Sequence, residues 1–479
     1  MNQPIRRLAT VVALMFLALM VSATSVQFFQ AGALNTDGRN VRTVYREYGR
    51  DRGPIVVAGE SVASSSPVED VYGYQRSYSP GPLYAHATGY FSTAFNRLTG
   101  LEQTENEVLN GTSSSLLLQR IQTLVTGQQP QGGAVELTLD PQAQEAAAAA
   151  LGDREGAVVA LDPATGAILA MVSSPSYDPN SLATHDREDA EAAWTALTED
   201  PSEPLVNRAI AGDQYAPGSV FKVVTAAAAL EGGDLTAESI VPGPTELTLP
   251  QTSHVIQNPL QRACGDGSGE VPLIAAFRQS CNTTFAQLAM DMGDDAMRAQ
   301  AEAFGFGQPL EIPLQVTPSR FPADPAPPEL AMSGIGQSDV RVTPLQMAMV
   351  AAAVANDGVQ MQPYLVAREL SPDLEVVGTT EPNELRESVS PETAAELTKM
   401  MVEVVANGTG TPAQIPGVQV AGKTGTAEIS SDVAPHSWFI GFAGAENPEV
   451  AVAVLVENGG DGGTTAGPVA REVMEAVLR

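Results

Sequence analysis

Ser219 and Lys222 stand three residues apart in Tyr215-Ala-Pro-Gly-Ser-Val-Phe-Lys222-Val-Val-Thr-Ala-Ala-Ala-Ala-Leu230. A serine hydroxyl becomes a strong nucleophile only when a neighbouring base takes its proton, and an ammonium cannot do that. Partial burial and the positive end of a helix dipole both push a lysine toward its neutral form, so this spacing can join a nucleophile to a base. The chain has three lysines, Lys222, Lys399 and Lys423, against 22 arginines. Arginine keeps its proton in proteins, so the few lysines are the candidates for titratable work. A lone Ser-x-x-Lys is weak all the same, and an exposed helix lysine is its plain alternative. Two other short patterns could join it: Ser280-Cys281-Asn282 and Lys423-Thr424-Gly425-Thr426.

These residues need elements to hold them. Pro217 and Gly218 offer a tight entry to a helix that begins at Ser219, runs through the alanines and stops at Gly232-Gly233. On such a helix Ser219 and Lys222 share a face. Apolar runs at 156–161 and 166–173, joined by Asp162-Pro-Ala-Thr-Gly166, read as a hairpin, and 134–140 reads as a strand leading into an alanine-rich helix over 141–151. The spacing predicts a helical segment near Ser280 within 271–290, a long helix over 343–356, strands at 420–429, 437–442 and 450–457, and a final helix over 468–478. A sheet with hairpin connections and flanking helices implies a largely antiparallel α/β (α+β type) architecture.

Composition bounds the rest. The 479 residues carry a net charge of −31, from 25 basic and 56 acidic side chains, and no basic stripe that would follow a phosphate backbone, which argues against a nucleic-acid partner. After Arg6-Arg7 come 19 residues without charge (8–26), about the length of a bilayer crossing, and the two arginines place the tail 1–7 on the cytoplasmic side. A cleaved signal ending near Val21-Ser22-Ala23 is the alternative; either reading exports the remainder of the chain. In that compartment Cys264 and Cys281 are permitted to form a disulfide, and no Cys or His cluster has metal-ligand spacing. The expected division is a tail at 1–7, an anchor at 8–29, a small non-catalytic module at 30–125, a linker at 126–133 and a large domain at 134–479. His86 is expected to be structural and His436 a rim residue; four histidines and no Gly-x-Ser-x-Gly around Ser219 leave little room for a Ser-His-Asp triad.

Taken together and in this order, Ser219-x-x-Lys222, Ser280-x-Asn282 and Lys423-Thr-Gly-Thr426 resemble the motif set of the penicillin-recognising serine transpeptidases. The resemblance covers 134–479 and extends to Gly334-Ile-Gly336-Gln337, Thr343-Pro-Leu-Gln346 and Trp438-Phe-Ile-Gly441. With Arg52-Gly-Pro-Ile55 and Gly100-Leu-Glu102 after a single anchor, the chain is similar to class B penicillin-binding proteins. That resemblance implies a transpeptidase fold like that of serine β-lactamases, and a peptidoglycan D,D-transpeptidase without a cofactor or glycosyltransferase domain. It implies Ser219 as nucleophile, Lys222 as general base, Ser280 as proton relay and Lys423 as its neighbour. Asn282, Thr424, Gly425 and Thr426 would hold substrate, with the N–H groups of Ser219 and Thr426 as oxyanion hole. The implied partners are stem peptides ending in D-Ala-D-Ala, β-lactams, a diaminopimelate-type acceptor and a membrane polymerase of the SEDS family. Close chemical alternatives are a D,D-carboxypeptidase and a β-lactamase-like hydrolase; a non-catalytic β-lactam sensor or scaffold is the alternative of another class.

Overall fold

The computed structural model describes residues 2–29, 49–116 and 131–479, apart from positions 213, 260, 311 and 431. Helix α1 (Asn2–Thr24) runs into a short π-helical turn at Ser25–Phe29, and its stretch Gln3–Gln27 is long and apolar enough to cross a membrane. Of the expected module, 30–48 and 117–125 lie outside the described residues, as does most of the expected linker (126–130). Strands β1 (Ile55–Val57), β2 (Glu60–Pro67) and β3 (Tyr74–Tyr78) pair in antiparallel sequence. Ala58 and Gly59 both take positive φ and close the β1–β2 hairpin.

Strand β4 (Ala134–Leu137) opens the large expected domain but pairs in parallel with β1, Ile55 opposite Val135 and Val57 opposite Leu137. Helix α2 (Pro141–Leu151) comes after it, with the Asp140 carboxylate accepting from Ala143 N at its start. Next come the hairpin strands β5 (Gly156–Leu161) and β6 (Ile168–Ser174), and helices α3 (Lys222–Glu231), α4 (Leu273–Arg278), α5 (Asn282–Met292) and α6 (Pro344–Ala355). Strands β7 (Val366–Leu370) and β8 (Val376–Thr379) return to the first sheet through pairing of β7 with β4, giving the order β8-β7-β4-β1-β2-β3. One sheet therefore runs across the expected boundary at 134.

Helix α7 (Pro391–Asn407), strands β9 (Val420–Ala427), β10 (His436–Ala443) and β11 (Val450–Val456), and helix α8 (Gly462–Val477) complete the chain. The second sheet is antiparallel throughout, in the order β9-β10-β11-β5-β6. Its strand β11 is buried at every position, as expected of a strand covered on both faces. Helices α2 and α8 cover one face and α6, buried from Pro344 to Val354, covers the other. The final helix starts at Gly462, six residues before the expected start at Pro468. Gly462 and Gly463 resemble loop residues in sequence, but a Cβ at Gly462 would lie 2.2 Å from Gly425 O, so glycine is what lets the helix begin against β9.

The first sheet encloses a charged core. Glu102, fully buried, accepts from Arg52 Nε at 2.5 Å, Arg76 Nε at 2.6 Å and the Tyr78 hydroxyl at 3.1 Å. Arg52 also reaches Asn106 Oδ1 at 2.6 Å.

Candidate active site

Ser219 lies on a 3-10 turn, Gly218–Phe221, that runs directly into α3; the expected α-helix thus begins three residues after Ser219, at Lys222. The turn is held from several sides. Tyr215 and Val342 exchange two backbone hydrogen bonds, Gly218 N donates to Gly336 O at 2.9 Å, and Trp438 Nε1 donates to Ala216 O at 3.1 Å. Gly218 has φ +55°, and a Cβ there would stand 2.6 Å from Thr426 O, so the turn lies against β9. A Cβ at Gly336 would meet Gly218 O at 2.0 Å, which explains the glycine in Gly334-Ile-Gly336-Gln337. The Ser219 hydroxyl makes no side-chain hydrogen bond among the described residues and borders an open cleft.

Nine of the ten residues of α3 are buried, because a run of alanines lets neighbouring helices approach from all sides. Lys222 is buried with them. Its Nζ donates to Ser280 O at 2.7 Å and to Asn282 Oδ1 at 2.8 Å, and lies 3.2 Å from Ser280 Oγ. Lys423, also fully buried, donates to Ser280 Oγ and to Thr424 O, each at 2.9 Å. Two lysines thus meet at one serine hydroxyl, and neither has a carboxylate partner among the described residues. Burial holds the Lys222 amine well below its ordinary range, and the Lys423 charge lowers it further. Burial alone pulls Lys423 down to about 7.

Ser280 sits at the joint between α4 and α5 with φ +57°, an uncommon conformation for a residue with a Cβ, which turns its hydroxyl toward both lysines. Cys281 is bonded to Cys264. That bridge ties the middle of Ser280-Cys-Asn282 to the 240–272 segment, whose Gln257 O accepts from Asn282 Nδ2 at 2.9 Å and whose Asn258 Oδ1 accepts from Thr283 N at 3.1 Å. Gln257 and Asn258 form one wall of a cleft of about 610 Å³; Ser219, Ser280 and Asn282 lie in it, with Thr424 and Thr426 on the β9 side. Gly425 packs behind them, where a Cβ would lie 3.0 Å from Pro217 O. All the expected site residues are therefore gathered around one cleft.

Two of the histidines do not line the cleft. His86 is buried against Tyr177, 5.6 Å between ring centres, and desolvation pushes it down to about 4. His436 lies edge-on to Tyr215 at 5.4 Å and accepts from Asn458 N at 3.2 Å, and burial lowers its pKa. Sequence reasoning missed Thr409, whose hydroxyl lies 2.6 Å from that of Thr424 and borders the same cleft. Its only sequence signal is Gly408-Thr-Gly410, a turn placed shortly before β9.

The profile of the penicillin binding protein transpeptidase domain matches residues 156–475, and that of the penicillin binding protein A dimerisation domain matches 52–135. The chain belongs to the penicillin-binding protein transpeptidases. Within that family it is 45% identical to the peptidoglycan D,D-transpeptidase PbpA of Mycolicibacterium smegmatis, over 100% of this chain and 99% of the relative. It is 44% identical to the protein of the same name from Mycobacterium tuberculosis, with the same coverage. Among solved structures, the ceftriaxone acyl-enzyme complex of penicillin-binding protein A from M. tuberculosis superposes with a TM-score of 0.87 at 43% identity, covering 91% of this chain and all of that one.

Proposed function

We propose that the chain is a monofunctional class B peptidoglycan D,D-transpeptidase that cross-links stem peptides through a Ser219 acyl-enzyme and is acylated by β-lactams at the same serine. The convergence of two buried, carboxylate-free lysines on the Ser280 hydroxyl beside Ser219 carries this reading. Ser219 Oγ attacks the carbonyl of the penultimate D-alanine while neutral Lys222 takes its proton. The oxyanion sits between the N–H groups of Ser219 and Thr426, where a donor of this kind stabilises the transition state by about 3 kcal/mol. Ser280, hydrogen-bonded to both lysines, passes a proton to the departing amine, and terminal D-alanine leaves. An acceptor amine, of diaminopimelate type by family resemblance, then attacks the ester, gives up its proton along the same path and restores Ser219. Asn282 steadies Lys222, while Thr424 and Thr426 hold the substrate carboxylate with Gly425 keeping their strand close to the turn.

The same reading sets α1 across the membrane with Arg6 and Arg7 on the cytoplasmic side and the catalytic part outside, in keeping with a disulfide at the site. A reporter active only outside the cytoplasm, fused after Arg479, checks that orientation. The 30–125 module and anchor are proposed to dock a SEDS-family polymerase that supplies glycan strands. Replacing 8–29 with an unrelated apolar helix is expected to abolish co-purification with that polymerase; unchanged recovery would refute docking through the anchor.

Intact-mass spectrometry after exposure to benzylpenicillin tests the chemistry. One adduct per chain is expected, stable for hours and absent in Ser219→Ala. Rapid loss of the adduct would favour a hydrolase, and its absence from folded protein would favour a sensor.

A further inference from the structure

The cleft is poor in positive charge. Among the described residues its lining includes His254, Glu428 and Asp461 but neither an arginine nor an exposed lysine. A carboxylate entering it depends on neutral donors, the hydroxyls on the β9 side and side-chain amides such as Asn282 opposite, and on Lys423, buried next to Thr424. Thr424 is itself almost fully buried, and its hydroxyl has one partner among the described residues, Thr409 Oγ1 at 2.6 Å. In such a pair one hydroxyl proton lies between the two oxygens, and the other is left to point outward.

Thr409 is fixed more firmly than its exposure suggests. Gly408 N and Gly410 N both donate to Val404 O, at 3.1 and 3.0 Å, so the segment closes the end of α7. A Cβ at Gly408 would come within 2.7 Å of Arg278 O, two residues before Ser280, and one at Gly463 within 2.3 Å of Thr409 O. Three helix ends, those of α4, α7 and α8, therefore converge on the Gly408–Gly410 segment that carries Thr409. That degree of constraint belongs to a group held in a set orientation rather than to a surface threonine.

We propose that Thr409 is a positioning residue for carboxylate recognition: it locks the Thr424 hydroxyl so that the pair presents one fixed donor to the terminal carboxylate of a D-Ala-D-Ala peptide or β-lactam. The inference rests on the transpeptidase reading of the cleft. Without Thr409, the Thr424 hydroxyl rotates among its staggered positions and spends part of its time turned away from the ligand.

The test compares wild type, Thr409→Val and Thr409→Ser in acylation by benzylpenicillin and by its uncharged methyl ester. Thr409→Val keeps the shape and removes the hydroxyl. Its acylation efficiency toward the acid is expected to fall roughly ten- to hundredfold, the effect of losing a hydrogen bond to a charged group. The loss should fall in the binding constant rather than in the limiting acylation rate, and toward the ester the variant should match wild type. Thr409→Ser should recover the acid rate to within about threefold. Equal losses on acid and ester, or no rescue by serine, would mean that Thr409 only shapes the loop and would overturn the proposal. No loss on the acid would overturn it too. A wild type that forms no adduct, or a Ser219→Ala protein that still does, would instead overturn the transpeptidase reading itself.

Discussion

An ammonium buried without a carboxylate is costly, and two of them beside one hydroxyl are costlier, so Lys222 and Lys423 do not stabilise the fold as charges; the mechanism proposed above gives them a catalytic use instead. On the reading proposed above, replacing Lys222 with Met removes the base, and with it a buried polar amine that the fold does not need. Acylation by benzylpenicillin is expected to fall roughly a hundred- to ten-thousandfold, while the melting temperature stays equal or rises. For Lys423 the folded value is about 7 against an ordinary 10.5, so between these limits the unfolded chain binds the extra proton. Stability should therefore increase as pH rises from about 7 toward 10.5, and the urea midpoint of Lys423→Met should rise less over that window. That Ser219, Lys222, Ser280 and Lys423 would share one site was legible in the sequence, because the side chains proposed as nucleophile, base and relay are chemically distinctive and rarely spaced this way by chance. Thr409 was not, since an ordinary threonine gains meaning only from a partner fifteen positions away. The left-handed backbone of Ser280 was hidden for a related reason: nothing local to Ser-Cys-Asn requires it.

The turn before α3 lies backbone to backbone against the edge of β9 on one side and against Gly336 on another. Gly336→Ala should therefore cost about 2–3 kcal/mol in urea unfolding, through overpacking at a position with positive φ, and should slow acylation by displacing Gly218. Converting Cys264 and Cys281 together to Ser opens a bridge between residues 17 apart in sequence. The expected loss is about 3 kcal/mol, and the Asn282–Gln257 contact should loosen with it. Periodicity identified most elements near this site, including the three strands β9 to β11 and helix α6. It misplaced the start of α8 because a Gly-Gly pair that ends helices elsewhere begins this one, for the sake of contact with β9. The Ser219 turn likewise read as α-helix, since four residues of 3-10 geometry carry no periodicity of their own.

At the scale of the molecule, the six-stranded sheet joins the small module to the catalytic part through β4, β7 and β8. Deleting 1–133 would leave β4 without β1 and open an apolar edge, so the shortened protein is expected to aggregate or to unfold at lower urea than the longer one. Glu102→Gln, which leaves Arg52 and Arg76 facing a neutral group, should cost about 3–5 kcal/mol by the same measurement. Composition suggests a boundary where Gly and Gln cluster, but it is silent on strands from both sides sharing hydrogen bonds, because pairing partners are separated by up to hundreds of residues. The β1–β4 pair also has a mechanical meaning. If α1 is held in a membrane and the cleft engages a cross-linked wall, as proposed above, a pull between the two enters at the start of β1 and leaves from the end of β4. These strands are parallel, so the load acts along them in opposite directions and strains all their hydrogen bonds together instead of peeling them one by one. The tether is thus strongest along the line in which a growing wall would tug on it.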